Sequence, residues 1–347
     1  MDKKKILWGI LFVFIAAFSI WAVTAQNKNF SVEMMNAFVK DANKLWLFAA
    51  ALCSFGFIWF EGCALARTCK GLGYRKSIRE GTIYGGADVY FSAITPSATG
   101  GQPASAYFMI KDGMPASAVT AVLLINLVMY TLALLFWGVL CIIFRFDILR
   151  EFSLISKLFI LIGCMVLTGL VIVFYMLLRK EGILHKICEA LLCFLERIHL
   201  VKRAKKRREW LERTTKEYKR CAKIVTGKGN MLLEIFFWNA MQRLSQLAVS
   251  FMIFMATGKS VQQALNMGVT QCFVAMGSNC VPIPGAMGVA DYIMLDGLKN
   301  MMTNEAAVSM EILCRGVTFY GSVVIGLIIV VIGYLQRKMR KKNAGIL

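Results

Sequence analysis

The sequence predicts an all-α polytopic membrane protein with six spanning helices and two re-entrant, Pro/Gly-broken helical hairpins, arranged as an inverted-topology repeat. Three observations lead there. First, 58% of the 347 residues are hydrophobic, 17% are charged, and mean hydropathy is +0.62; a soluble domain carries ~45–50% apolar and ~25% charged residues. Second, the apolar residues gather over 6–25, 45–66, 116–144, 158–178, 231–256 and 308–335, blocks near the ~20 residues that cross a bilayer as a helix. Third, the Lys and Arg residues, 40 against 20 acids for a net charge of +20, fall in runs between those blocks. A secreted disulfide scaffold and a disordered chain are both excluded by this composition.

The first block follows Met1-Asp2-Lys3-Lys4-Lys5. It is longer than the ~7–15 residues of a cleavable signal core, so it reads as a retained anchor helix. Because short basic loops stay in the cytoplasm, Lys3–Lys5 place the N-terminus inside and leave 26–44 outside as an amphipathic segment. Arg67, Lys70, Arg75, Lys76 and Arg79 bring the next loop back to the cytoplasm. Residues 179–230 are the most basic part of the chain and include Lys202-Arg203-Ala204-Lys205-Lys206-Arg207-Arg208, yet Glu181, Glu189, Leu191 and Leu192 are mixed in. That mixture suits amphipathic helices lying on anionic inner-leaflet lipids, and no nucleic acid partner is expected. The tail, with Arg337 and Lys338, is cytoplasmic as well.

This count leaves two stretches that enter and leave on one side. Residues 81–110 begin and end in the cytoplasm, and 261–303 begin and end outside. The first is broken at Thr95-Pro96-Ser97-Ala98-Thr99-Gly100-Gly101-Gln102-Pro103 and the second at Pro282-Ile283-Pro284-Gly285-Ala286-Met287-Gly288. The domain reading is therefore an anchor and external segment at 1–44, a first repeat at 45–178, the basic segment at 179–230, a second repeat at 231–335 and a tail at 336–347. Interrupted helices that meet at mid-membrane form transport sites in such repeats.

Backbone groups freed by a break cost several kcal/mol each in lipid, so breaks belong in protein interiors or wet cavities. Ionisable residues inside the spans point to the same place. Glu61 and Asp88 are candidate headgroup or proton sites. Arg243 and Arg315 suit a lipid phosphate, which guanidinium groups bind bidentately; an internal ion pair is the other reading, and Glu311 is spaced to pair with Arg315 across one helical turn. The 11 cysteines lie mostly in apolar runs without a Cys-x-x-Cys pair, and there are two histidines, His185 and His199. No metal, cofactor or catalytic residue is expected from this set.

Thr95-Pro96 with Gly100-Gly101 and Tyr107, then Pro282, Pro284, Gly285, Gly288 and Asp291, then Arg315 with Tyr320, resemble the lysylphosphatidylglycerol synthase transmembrane family. Ala286 and Asp291 depart from it, standing where the family often has glycine and glutamate. The resemblance implies a flippase-like region of the bacterial cell membrane, with both termini cytoplasmic. It implies a phospholipid such as lysyl-phosphatidylglycerol as substrate, a role in resistance to cationic peptides, and a separate lipid aminoacyltransferase as partner. Members with a fused soluble domain transfer lysine from lysyl-tRNA to phosphatidylglycerol. This chain ends at Leu347, shortly after its last predicted span, which predicts no transferase activity of its own. Lysyl transfer and a purely scaffolding role are the competing expectations.

Overall fold

The computed structural model describes residues 40–95, 98–179, 228–279, 281, 284–286 and 288–343. The expected anchor at 6–25, the basic segment over 180–227, Pro96, Pro282 and the last tail residues lie outside these. Among the described residues the regular structure is all helical. Helices α1 (Lys44–Gly71), α2 (Ile78–Ile94), α3 (Gly101–Lys111), α4 (Ala116–Phe144), α5 (Phe146–Glu151) and α6 (Leu154–Arg179) form the first part. The second part contains α7 (Gly229–Ala256), α8 (Val261–Ser278), a 3₁₀ turn (Pro284–Ala286), α9 (Val289–Leu298), α10 (Asn304–Arg315), a π-helical turn (Gly316–Gly321) and α11 (Ser322–Asn343).

Helix starts follow local chemistry. The Asn43 side chain accepts from Leu45 N at 3.0 Å to cap α1. Ser77 with Glu80 and Ser260 with Gln263 form capping boxes at α2 and α8, each satisfying two N–H groups that the helix leaves open. Among the described residues, four helical stretches are long and apolar enough to cross a membrane: Lys44–Gly71, Ala116–Phe144, Leu154–Met176 and Ala306–Met339. The last runs from α10 through the π turn into α11, so the block expected at 308–335 is one interrupted helix. The block expected at 231–256 is the helix α7, but it is not in that apolar set. Glu234, Gln242, Arg243 and Gln246 lower its hydropathy, and it packs along the whole of α1 instead.

Contacts place the helix ends at two poles. At one pole, Gly71 lies against Met231, Arg67 pairs with Glu234, and Lys76 Nζ donates to Asp112 O at 2.6 Å. At the other, Asn43 N donates to Ala256 O at 3.0 Å, and Ser153 N to Asp296 Oδ2 at 2.7 Å. Helices α2 and α3 fold back on each other, because Tyr84 meets Asp112 while Asp88 meets Gln102. Both ends of this first hairpin therefore lie at the first pole. Helices α8 and α9 do the same from the second pole: Gly277 lies against Ile293 and Gly297 against Thr270. The turn at 284–286 touches α2, so the tip of one hairpin reaches the other.

Two apolar clusters fill the bundle. One surrounds the first hairpin, with Leu65, Tyr84, Phe108, Val122, Ile235 and Val330. The other surrounds the second hairpin, with Leu134, Phe152, Phe254, Phe273, Ile293 and Leu313. The outer surface is also apolar, including Phe48, Ile143, Met165 and Ile328, which suits contact with hydrocarbon.

The open end of the first hairpin is tied to α11. Arg337 pairs with Asp112, with Nε 2.8 Å from Oδ1, and Tyr84 Oη donates to Asp112 Oδ2 at 2.7 Å. Burial alone pushes the Asp112 carboxyl up, but hydrogen bonds from Arg337 and Tyr84, with the charges of Arg337 and Lys76, outweigh it. The group is held below its ordinary value. A carboxyl lowered by folding contributes stability above its unfolded value, and the contribution is lost as pH falls through the lowered folded value. Asp112→Asn should cost about 3 kcal/mol, since it leaves Arg337 largely buried without its counter-charge. Thermal unfolding in detergent should show a drop that is clear at neutral pH and shrinks towards the wild type in acid.

Candidate functional site

Between the two apolar clusters, the middles of α1, α4 and α7 turn polar. The sequence of α7 places Asn239, Gln242, Arg243 and Gln246 three and four residues apart, on one helical face, and that face points into the bundle. Asn239 and Gln242 are fully buried and Arg243 is 2% exposed. Asn239 Nδ2 donates to Asn126 Oδ1 of α4 at 3.1 Å. Gln242 Nε2 donates to Glu61 Oε2 of α1 at 3.1 Å.

Glu61 and Asp88, separate in sequence, come together here. They are 5% and 7% exposed, and their carboxyls lie within hydrogen-bond reach of one another. Asp88 also accepts from Gln102 Nε2 at 2.8 Å and from Ser92 Oγ at 3.1 Å. Arg243 lies with its guanidinium carbon 3.5 Å from the centre of the Tyr130 ring, and Nη1 donates to Gln246 Oε1 at 2.7 Å. Its Nε and Nη2 have no acceptor among the described residues. A buried guanidinium with free donors is costly, and it is also a ready receptor for an anionic oxygen.

The first break is built around Asp88. Thr95 Oγ1 donates to Phe91 O at 2.6 Å and accepts from Gly100 N at 2.8 Å, which closes the turn. A Cβ at Gly101 would fall 2.0 Å from both Asp88 Oδ1 and Ser92 Oγ, so only glycine lets the second limb approach the acid. Thr95, Gly100, Gly101, Glu61, Asp88 and Arg243 thus belong to one region. Tyr107 does not: it is 50% exposed on the outer face of α3, with Lys111 Nζ 5.6 Å from its ring centre.

The second break holds a separate ion cluster. Pro284 begins the 3₁₀ turn, and Gly285 and Gly288 take φ of 62° and 83°, the left-handed region that glycine favours. Gly288 N donates to Asp291 Oδ2 at 2.8 Å. Arg315 pairs with Asp291, lies 3.2 Å from Glu311 Oε1, and donates to Gly285 O at 2.9 Å. Of the two readings open for Arg315, the internal ion pair is the arrangement observed. The π turn that follows accepts a bond from Ser54 Oγ of α1 at Val317 O, 3.2 Å away.

Reading ionisable residues one at a time misses Gln102, Asn126, Tyr130, Asn239, Gln242 and Gln246. For the α7 residues the signal was present, as a polar face of helical period inside an apolar block. No group of three or more His, Cys, Asp or Glu side chains suited to a metal occurs among the described residues.

The family model described as the lysylphosphatidylglycerol synthase TM region matches residues 6–326 of this chain. No curated protein matches it.

Substitution at the two breaks separates their roles. Gly101→Ala should displace the first turn and lower stability by about 1–3 kcal/mol, seen in detergent melts. Arg315→Ala should cost more, about 3–5 kcal/mol, because it leaves two acids without their cation; adding Asp291→Asn should recover part of that loss.

Proposed function

The chain belongs to the lysylphosphatidylglycerol synthase TM-region family, and on that premise we propose that it moves a phospholipid between membrane leaflets. The headgroup crosses through the polar middle of the bundle while the acyl chains remain in lipid. One observation carries this reading: a buried, hydrogen-bonded polar layer lies between two apolar clusters, and its guanidinium has donors to spare. An unassisted headgroup must enter hydrocarbon stripped of water. Here fixed donors and acceptors replace that water, with Arg243 for the phosphate and Glu61 and Asp88 as the acidic side of the site.

In this proposal the hairpins are re-entrant, dipping into the bilayer from opposite faces, and the two halves form an inverted repeat. The hairpin ends at opposite poles and the contact of the second hairpin's turn with α2 support it. The basic loops place the pole of Arg67, Lys76 and Arg337 in the cytoplasm, with a phospholipid such as lysyl-phosphatidylglycerol as cargo. The remaining described residues of the breaks, Thr95, Gly100, Gly101, Pro284, Gly285, Gly288, Asp291 and Arg315, shape and brace the hairpin tips beside the path. Tyr107 keeps only an outer, lipid-facing role. Anionic inner-leaflet lipids hold the basic segment, a separate aminoacyltransferase supplies aminoacylated lipid, and a less negative outer leaflet repels cationic peptides in a bacterial cell membrane.

Two experiments test this. In vesicles containing only the purified protein, leaflet-resolved assays with several headgroups should show transport. Arg243→Gln should slow it about tenfold to a hundredfold, the worth of charge-assisted hydrogen bonds to one group. Arg243→Lys, which keeps the charge without the planar fork, should fall between. Equal rates in all three remove Arg243 from the path. For topology, a cysteine at the exposed Lys111 should react with a membrane-impermeant reagent only from the cytoplasmic side, and one at the exposed Lys259 only from outside.

A further inference from the structure

Among the described residues the polar layer contains two acids and one base, and the acids meet each other rather than the base. Glu61 and Asp88 lie within hydrogen-bond reach of one another. The backbone brings them there: a Cβ at Gly85, one turn before Asp88, would stand 3.4 Å from the Glu61 Cβ and 3.0 Å from Ile58 O. The side-chain donors to the pair among the described residues are all neutral, from Gln242, Gln102 and Ser92. The one cation nearby among the described residues, Arg243 of α7, is held over the Tyr130 ring of α4 and on Gln246. On its other side α2 meets Gly326 and Ile329 of α11, which carry no charge. Arg337, further along α11, is engaged with Asp112.

A carboxylate only accepts hydrogen bonds, so two carboxyls can bond each other only with a proton between them. Two full charges in contact inside a dry bundle would repel strongly. We propose that Glu61 and Asp88 share one proton, and that its uptake and release couple the first hairpin to transport.

With the proton bound, the pair draws α2 against α1 and the polar layer is shut. When the proton leaves to water entering at the hairpin's cytoplasmic end, two carboxylates face each other and push α2 away. The free N–H groups of Arg243 then face an open, wet layer that a lipid phosphate can enter. Reprotonation from water on the side then open closes the hairpin again. The coupling rests on the transport reading above; the shared proton rests on the geometry alone.

Infrared spectroscopy of the reconstituted protein tests the proton, and a vesicle assay tests the coupling. At neutral pH the carboxylic acid C=O band should lose the same intensity in Glu61→Gln and in Asp88→Asn, and the double variant should lose no more than either. Intensity lost in only one of the single variants, or losses that add in the double variant, overturns the shared proton. In phosphatidylglycerol vesicles, an imposed pH gradient should change the wild-type transport rate severalfold and leave the rate of Glu61→Gln indifferent to the gradient. Wild-type transport indifferent to the gradient overturns the coupling. If the infrared result holds and no headgroup moves in any wild-type vesicle, the proton site stands and the transport reading is what fails.

Discussion

Holding a guanidinium and two carboxyls in the middle of a bundle faced with hydrocarbon is the demand that organises this protein. Each charge at the centre of an isolated membrane helix costs about 2.5–3.5 kcal/mol on insertion scales. Here the cost is met by neutral partners from several helices: Gln242 for Glu61, Gln102 and Ser92 for Asp88, and the face of Tyr130 for Arg243. Removing any of these helices would leave the others with unsatisfied groups. The polar layer therefore ties α1, α2, α3, α4 and α7 to one another more specifically than apolar packing does, because apolar contacts tolerate sliding and hydrogen bonds do not.

The breaks solve a related problem of reach. An unbroken helix can present its middle to a neighbour but cannot bring its own end into the middle of the bundle. A hairpin can, and the turn that makes it leaves backbone groups that need partners. Thr95 serves the first turn and Arg315 the second. The two differ in a telling way. At the second, Arg315 pairs with both Asp291 and Glu311, while its Nη2 has no acceptor among the described residues. At the first, the acids meet each other, and Arg243 keeps donors free. In the proposed reading, the cation that stands apart from the acids serves the headgroup at the first hairpin, and the paired cation braces the second.

Glycine decides how closely the first hairpin approaches its surroundings. A Cβ at Gly81 would sit 2.2 Å from Gly62 O of α1, so α2 and α1 touch backbone to backbone. Such a seam provides close contact without interlocking side chains. In the proposed coupling, this seam is what would let a change in charge between Glu61 and Asp88 act on the position of α2.

Much of this was legible in the residue order. Block lengths and basic runs marked helices close to α1, α4, α6, α7 and α11, and the Pro/Gly clusters marked both hairpins within a few residues, because these depend on local composition and backbone chemistry. Glu61, Asp88 and Arg243 stood out one by one as charges in apolar blocks. Their grouping did not, since it depends on the angle at which α2 folds back and on which face α7 turns to α1. The status of α7 as an inward-facing polar helix, the capture of Arg315 by Asp291 and Glu311, and the placement of Tyr107 on the outer surface were likewise decided in three dimensions. By itself the sequence determined which segments are helical, where they break and how costly the isolated charges would be. Only the tertiary structure decided which charges neutralise one another and which remain available, because that is a matter of distance between helices, and hydropathy carries no information about distance.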